Sequence, residues 1–264
     1  MEKSFAVITG ASSGIGFELA RQFGMHGFEL LIASSSDEIF EAQDRLEEEG
    51  IQTEAIKVNL ATFAGVENLV QGIKNYGKLP DAVAINAGVG IGGRFLQTDL
   101  REEINLINLN IVSVVHLTKR LLPLLQENGE GKILFTSSIS SQMPSPFEAV
   151  YGASKAFVTS FAESIRNEVK DSDISVTVLM PGATNTNFFH RAHMDDTKVG
   201  SEMKYENDPE EVARQGFEAL MEGKESLFAE SFLTKIQGYA MKILPQKAKA
   251  QFHRKWSEPG TDKH

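Results

Sequence analysis

Cysteine is absent from the 264 residues of the sequence. This absence excludes disulfides, thiolate nucleophiles and cysteine-based metal sites, and it fits a reducing compartment. Long apolar runs are also missing, since no uninterrupted stretch approaches the ~20 residues that span a bilayer. The first four residues lead straight into an apolar segment without a separate basic region, so we expect no secretory signal. These absences predict a cytoplasmic protein for which a membrane is not an expected partner.

Positive charge is in short supply. The sequence has 26 lysine and arginine residues against 36 aspartate and glutamate residues, which gives a net charge of −10. Binding to a phosphate backbone needs a basic face, so no nucleic-acid partner is expected. The hydrophobic content of 41% allows a substantial core. Length alone permits one or two domains, but no linker-like segment or internal repeat is present, and we predict a single domain over residues 1–264.

Short apolar segments alternate with segments of helical periodicity along the chain. The predicted strands are Phe5–Thr9, Glu29–Ala33, Thr53–Val58, Asp81–Ile85, Lys132–Thr136, Ile174–Leu179 and a short one at Ser226–Phe228. The predicted helices include Asp37–Glu49, a long one over Asp99–Leu125, one that contains Tyr151, and Pro209–Met221. Nearly all-apolar strands are typical of a parallel sheet that is buried on both faces. The alternation therefore predicts a single-domain α/β fold, a Rossmann-type doubly wound parallel sheet of about seven strands with helices on both faces.

A glycine-rich turn, residues 10–16, follows the first predicted strand and precedes a helical pattern. Glycines allow a sharp turn and let a pyrophosphate approach the backbone, where the start of a helix favours an anion. No Gly-Lys-Ser/Thr sequence follows, so the turn is not a Walker loop. A glycine turn can be simply a tight loop, but its position between the first strand and a helix favours nucleotide binding.

Five residues at the ends of predicted strands are expected to share one rim of the sheet, because ligands bind beyond the carboxyl ends of parallel strands. They are Gly10, Ala33, Asn59, Asn86 and Ser138. An acidic residue after the second strand would bind the adenosine ribose and repel a 2′-phosphate. Ala33 stands there and serines follow, so the sequence favours NADP(H) over NAD(H), although these serines could also serve only as helix caps.

Tyr151 and Lys155 are four residues apart in a segment of helical periodicity, so their side chains lie one turn apart. A phenol titrates near pH ~10 and needs a neighbouring cation to act at neutral pH. Lys155 is placed to be that cation. A helical tyrosine near a lysine is also common at the edge of a core, so the pair gains meaning only from other groups that converge on it.

Several motifs in order resemble the short-chain dehydrogenase/reductase family. They are residues 9–16, Asn86-Ala87-Gly88, Asn110, Ser138, Tyr151 with Lys155, and Pro181-Gly182 with Thr186. The resemblance spans roughly Phe5 to Thr186. It implies an NAD(P)(H)-dependent oxidoreductase that transfers a hydride between a nicotinamide and a carbonyl/alcohol pair.

The resemblance also implies a role for each matched residue. Tyr151 would be the general acid or base, Lys155 would lower the phenol pKa and hold the nicotinamide ribose, and Ser138 would bind the reacting oxygen. Asn110 would support a water in a proton relay, with Asn108 as the less favoured match. The implied cofactor-binding residues are Gly10, Ser12, Ser13, Gly14, Ile15, Gly16, Ser34, Asn59, Leu60, Asn86, Ala87, Gly88, Tyr151, Lys155, Pro181, Gly182, Thr184 and Thr186.

The sequence departs from the family pattern near the cofactor. Asn59 stands where an aspartate is common, Ile85 replaces a frequent asparagine, and the usual basic markers of NADP binding are missing. None of these changes affects the residues implied in proton transfer.

A substrate loop is predicted over residues 187–206, with Phe188 facing Gln142 and Phe147 across the rim. The apolar content of this region predicts an apolar or aromatic carbonyl or alcohol as substrate. His190 and His193 have no apparent third ligand, so no metal is expected.

The predicted C-terminal extension, residues 230–264, contains apolar residues at helical spacing from Phe232 to Trp256, a break at Pro245 and a basic stretch. Packing on the body or on a second subunit is favoured over a membrane surface. The family resemblance implies a homodimer or homotetramer.

Two other functions share parts of this pattern. A redox sensor that binds the dinucleotide without turnover has no need of a proton donor, which the set of Ser138, Tyr151, Lys155 and Asn110 supplies. A sugar-nucleotide epimerase or dehydratase is disfavoured because the chain lacks the larger C-terminal substrate region of such enzymes.

Overall fold

A computed structural model describes residues 3–202, 207–229 and 244–260. Seven parallel strands form one sheet in the order β3-β2-β1-β4-β5-β6-β7. They are β1 Phe5–Thr9, β2 Glu29–Ser34, β3 Thr53–Lys57, β4 Ala82–Ile85, β5 Gly131–Thr136, β6 Ile174–Pro181 and β7 Ser226–Ala229. The change of direction between β1 and β4 is the point at which ligands bind such sheets. The predicted Rossmann-type fold is confirmed.

The helices are α1 Gly14–Met25, α2 Glu38–Glu48, α3 Phe63–Asn75, α4 Leu100–Ile107, α5 Ser113–Glu127, α6 Ala149–Glu168, α7 Phe188–Arg191, α8 Lys198–Ser201, α9 Pro209–Met221 and α10 Gln246–Ser257. A π-helical segment, Asn108–Val112, joins α4 to α5, and a 3₁₀ turn, Ile139–Gln142, follows β5. Within the described ranges, no helix combines the length and apolar character of a bilayer-spanning segment.

Two apolar cores cover the two faces of the sheet. Alternate residues of β2 face opposite ways: Leu31 belongs to the core of α3, α5 and α6, whereas Leu30 belongs to the core of α1, α2 and α9. All five residues of β1 are buried, as are Glu29 to Ala33 of β2. These two central strands therefore have consecutive apolar residues, Phe5–Ile8 and Leu30–Ala33, rather than apolar residues at every second position, which explains why the sequence marks them so clearly.

Two helical predictions differ from the structure, and a third lies largely outside the described residues. The helix predicted over Asp99–Leu125 is divided by the π-helical segment. The substrate loop contains the short helices α7 and α8. Much of the C-terminal prediction, residues 230–243, lies outside the described residues, and α10 begins directly after Pro245, which cannot continue a preceding helix.

Candidate active site

The glycine turn brings the end of β1 against the chain that follows β4. Gly10 has φ +69°, and a Cβ there would lie 2.8 Å from Ala87 Cα. A Cβ at Gly16 would collide with the Gly10 carbonyl oxygen. Both positions therefore need glycine, because the backbone approaches itself too closely for a side chain.

Helix α1 begins immediately beyond this turn. Its first residue follows Ser13, whose side chain does not cap the helix, and its first turn has no acidic residue. Backbone N–H groups at such a helix start attract an anion. The close-packed glycine turn and this helix start together fit the pyrophosphate of a dinucleotide.

A hydrogen-bond network fixes the neighbouring strand end. The Thr9 hydroxyl accepts from the N–H groups of Asn86 (3.0 Å) and Ala87 (3.1 Å), and the Asn86 side-chain amide donates to the Thr9 carbonyl at 3.1 Å. These bonds link the carboxyl ends of β1 and β4. The floor of the cleft is therefore rigid where Asn86 to Gly88 line it.

Lys155 and Tyr151 project from α6 toward the end of β5, and both are nearly inaccessible to solvent. The Lys155 Nζ donates to the Thr136 carbonyl at 2.9 Å, and burial lowers the pKa of its ammonium to about 8. Burial raises the pKa of the Tyr151 phenol, and the Glu148 carboxylate raises it further, whereas a hydrogen bond with Ser138 opposes the rise. Burial of the phenol therefore acts against the lowering of its pKa that the family resemblance implies for Lys155.

Asn110 lies in the π-helical segment and is almost completely buried. Its side-chain oxygen accepts from the Val89 N–H at 3.0 Å, and its amide donates to the Val89 carbonyl at 2.9 Å and the Ser154 hydroxyl at 3.0 Å. Asn108 is only partly buried. Asn110 thus ties Val89, the residue after Gly88, to Ser154 of α6, the residue before Lys155.

A single cavity of about 340 Å³ joins these features. Every residue predicted to bind the cofactor lines it, as do Ser138 and Phe188. Asn110 lies behind its wall and acts through Val89. The polar side of this cavity therefore runs from the glycine turn to Tyr151 without interruption.

Two predicted pocket residues are not among those that line the cavity. Gln142 donates to the Ser141 hydroxyl at 2.8 Å, and its carbonyl accepts from Lys249 at 3.1 Å. The Phe147 ring lies between the guanidinium groups of Arg94 (5.6 Å) and Arg254 (5.1 Å). Both residues instead contact helix α10, Gln142 through Lys249 and Phe147 through Arg254.

The sequence did not predict the cavity-lining residues that come from α10, or Glu148, which contacts that helix. Cavity-lining residues absent from the predicted site include Glu148, Phe252, His253, Trp256 and Ser257. The four residues of α10 lie at helical spacing, which is a usable signal. In the sequence, His253 belongs to a basic stretch, and no local pattern predicts that this stretch lies beside Tyr151.

The predicted loop histidines lie at the surface. His190 pairs with Asp195 at 2.8 Å and His193 is 4.0 Å from Glu102. Among the described residues, no group of three or more histidine, aspartate or glutamate side chains is arranged to hold a metal ion.

Comparison with known proteins places the chain in a family. Residues 4–197 match the short chain dehydrogenase model. The oxidoreductase UcpA of Salmonella typhimurium is 35% identical over 182 residues, which are 69% of each chain. Dehydrogenase/reductase SDR family member 7B of Rattus norvegicus is 28% identical over 257 residues, which cover 93% of this chain and 79% of that protein.

A solved structure has the same fold as this chain. A short-chain dehydrogenase from Sphingobium yanoikuyae in complex with NADPH has a TM-score of 0.80 at 24% identity, over 92% of this chain and 96% of that one. The chain belongs to the short-chain dehydrogenase/reductase family. With that membership it is an NAD(P)-dependent oxidoreductase, as its sequence predicts.

Proposed function

We propose that this protein reduces an apolar or aromatic carbonyl compound with NADPH, with Tyr151 as the proton donor. One observation carries the proposal. Tyr151, Lys155 and Ser138 are buried together in the cavity that the glycine turn opens into. A proton donor, a cation and a hydroxyl thus converge beside a cleft shaped for a dinucleotide.

Each side chain has a definite task in this proposal. The bound nicotinamide supplies the hydride. Lys155 holds its ribose, and Ser138 orients the carbonyl oxygen of the substrate. The Tyr151 phenol keeps its proton at neutral pH because burial raises its pKa, so the hydroxyl can donate to that oxygen as negative charge develops.

The preference for NADPH rests on the end of β2. The Ser34 hydroxyl donates to Ser12 at 3.1 Å, so two hydroxyls meet where the adenosine ribose lies in this fold. Arg191 lines the same cavity, and its guanidinium lies 3.4 Å from Glu38 at the start of α2. A cation in the lining of this cavity favours a 2′-phosphate over a bare hydroxyl.

The substrate class rests on the other end of the cavity. Its wall there includes Met143, Phe188, Phe189, Val199, Phe252 and Trp256. The Phe188 ring lies 5.3 Å from the Tyr151 ring. A carbonyl with an aromatic or bulky apolar substituent would fill this space and reach the phenol.

The test compares the parent with Tyr151→Phe, using NADPH and NADH with a panel of aldehydes and ketones. We expect turnover by the parent, faster with NADPH, and a loss of about 10²- to 10⁴-fold in the variant. Tyr76→Phe is the matched control, because Tyr76 lies against Phe5, outside the cavity, and should retain full activity. Cofactor binding without turnover by the parent would instead favour the redox-sensor alternative.

The homodimeric or homotetrameric state and the cytoplasmic location stay predictions from the sequence.

A further inference from the structure

Helix α10 forms one side of the cavity that contains Tyr151. Its cavity-lining residues are Phe252, His253, Trp256 and Ser257. They occupy one stripe of the helix, since positions three and four apart share a face. The cavity wall opposite the glycine turn is therefore made by a helix from the far end of the described chain.

A buried histidine–carboxylate pair attaches this helix to the turn before Tyr151. His253 Nδ1 lies 3.2 Å from the Pro146 carbonyl oxygen, and Nε2 lies 3.1 Å from the Glu148 carboxylate. Each ring nitrogen thus faces a hydrogen-bond acceptor. The Ser257 hydroxyl donates to the same carboxylate at 3.0 Å. The side chains of His253 and Glu148 are only 8% and 6% exposed, so each depends on the other as the polar partner that replaces water.

Two further contacts extend this attachment along residues 142–148. Lys249 donates to the Gln142 carbonyl at 3.1 Å, and the Arg254 guanidinium lies over the Phe147 ring. Phe147 has φ +67°, a conformation that a bulky residue adopts only when its surroundings hold it there. The segment that precedes the catalytic helix and α10 therefore hold each other in place.

The polar side chains of this wall, His253 and Ser257, bond to protein groups. The aromatic side chains are therefore the part of the wall that is available to contact a ligand. Trp256 is half-buried, and its indole nitrogen has no hydrogen-bond partner among the described residues. It adds no hydrogen bond to the attachment of α10. Its contribution to the cavity is apolar surface, beside Phe252 on the same helix.

We propose that α10 is the specificity-determining wall of the substrate pocket, with Trp256 selecting carbonyl compounds that carry an aromatic substituent and Glu148–His253 holding the wall closed. This inference rests on the proposed reductase function. Glu148 and His253 are positioning residues here, because they act through α10. Trp256 acts by contact with the substrate.

The first test compares kcat/KM for 2-naphthaldehyde and for propanal with NADPH. In Trp256→Ala we expect the naphthaldehyde-to-propanal ratio to fall about tenfold or more, and Trp256→Phe to retain most of it. Use of a ratio cancels the different reactivities of the two aldehydes. Phe63→Ala, which removes an exposed ring on α3, is the control and should leave the ratio unchanged. An unchanged ratio in an active Trp256→Ala enzyme overturns the proposal.

The second test needs no turnover, so it separates failure of this inference from failure of the proposed function. Trp256 is the only tryptophan, and acrylamide quenching of its emission reports how closely α10 is held. Glu148→Gln and His253→Gln should each increase quenching, because each removes one partner of a buried polar pair and disturbs the contact that holds α10. The double variant, in which two neutral groups face each other, should increase it less than the sum of the single changes. Unchanged quenching in both single variants, or additive increases, contradicts the attachment.

Discussion

Burial changes the proton affinities of Tyr151 and Lys155 in opposite directions. The pKa of the phenol rises and the pKa of the ammonium falls to about 8, since desolvation disfavours the charged form of each group. Both shifts are in the direction that keeps the pair neutral. The hydrogen bond from Lys155 to the Thr136 carbonyl holds the amine in place even so.

The buried lysine predicts a pH dependence of stability. Below about pH 8 the folded and unfolded chains both carry the proton on Lys155, whereas between about pH 8 and the ordinary value of 10.5 the unfolded chain binds it more tightly. The free energy of unfolding should therefore rise with pH across this range, by on the order of 1–3 kcal/mol. Urea denaturation between pH 8 and 10 measures it, below the range in which Tyr151 and Tyr76 act in the opposite direction.

Lys155→Met should lose this rise, because methionine does not titrate. The matched control is Lys119→Met on the exposed side of α5, which should keep the parental slope. Equal slopes in the parent and Lys155→Met would show that the amine is not buried in the folded protein.

The sequence predicted which residues meet at the site better than it predicted their chemistry. Gly10, Asn59, Asn86 and Ser138 follow strands of one parallel sheet, and parallel strands bring such residues to one rim wherever the helices lie. The state of Tyr151 depends on how completely α6 and α10 exclude water from it. That quantity has no local pattern in the chain.

The π-helical segment between α4 and α5 is the element that departs most from the sequence pattern. Asn108–Val112 interrupts a periodicity that extends from Asp99 to Leu125, and the extra residue places Asn110 against Val89. Single-turn π segments are frequent at functional sites. The apolar residues on each side of the π-helical segment keep the spacing of an ordinary helix. The sequence therefore predicted one continuous helix.

Asn110→Ala should destabilise the protein by about 1–3 kcal/mol, because it removes the buried hydrogen bond to Ser154 and leaves the partly buried N–H and carbonyl of Val89 without their side-chain partner. Asn108→Ala is the matched control, two residues away and partly exposed, and should change stability by about 0.5 kcal/mol or less. Thermal denaturation of both variants measures the difference. Similar losses in the two variants would remove the distinction between these asparagines.

For helix α10 the sequence predicted the helix itself but not the residues against which it packs. Its helical spacing and its start after Pro245 were visible in the sequence, but its docking partner was not. The partners of His253 are Pro146 and Glu148, 107 and 105 positions earlier, and no composition or periodicity relates them. The short helices α7 and α8 were missed for a simpler reason, since four residues are too few to show a period.

At the scale of the whole molecule, we propose that one cooperative domain comprises both cores and α10. Leu19 on α1 and Leu117 on α5 are fully buried on opposite faces of the sheet. Replacement of either by alanine should cost about 2–5 kcal/mol, and because the two share no core, the losses should add in the double variant.

Chemical denaturation followed by far-ultraviolet circular dichroism and by Trp256 fluorescence tests the unity of the domain. The two transitions should coincide in the parent and move together in both leucine variants. A fluorescence transition that precedes the dichroism change would mean that α10 unfolds separately from the sheet.

The distant origin of α10 also sets the order in which a newly made chain becomes selective. Ribosomes complete the seventh strand at Ala229 before they add α10 at residues 246–257, and the bonds of Ser257 and His253 return to positions 109 and 107 residues earlier. The residues that line the dinucleotide cleft, from Gly10 to Thr186, are all translated before α10. The aromatic side of the pocket therefore cannot close until the last described helix has been made and has returned to the segment before Tyr151.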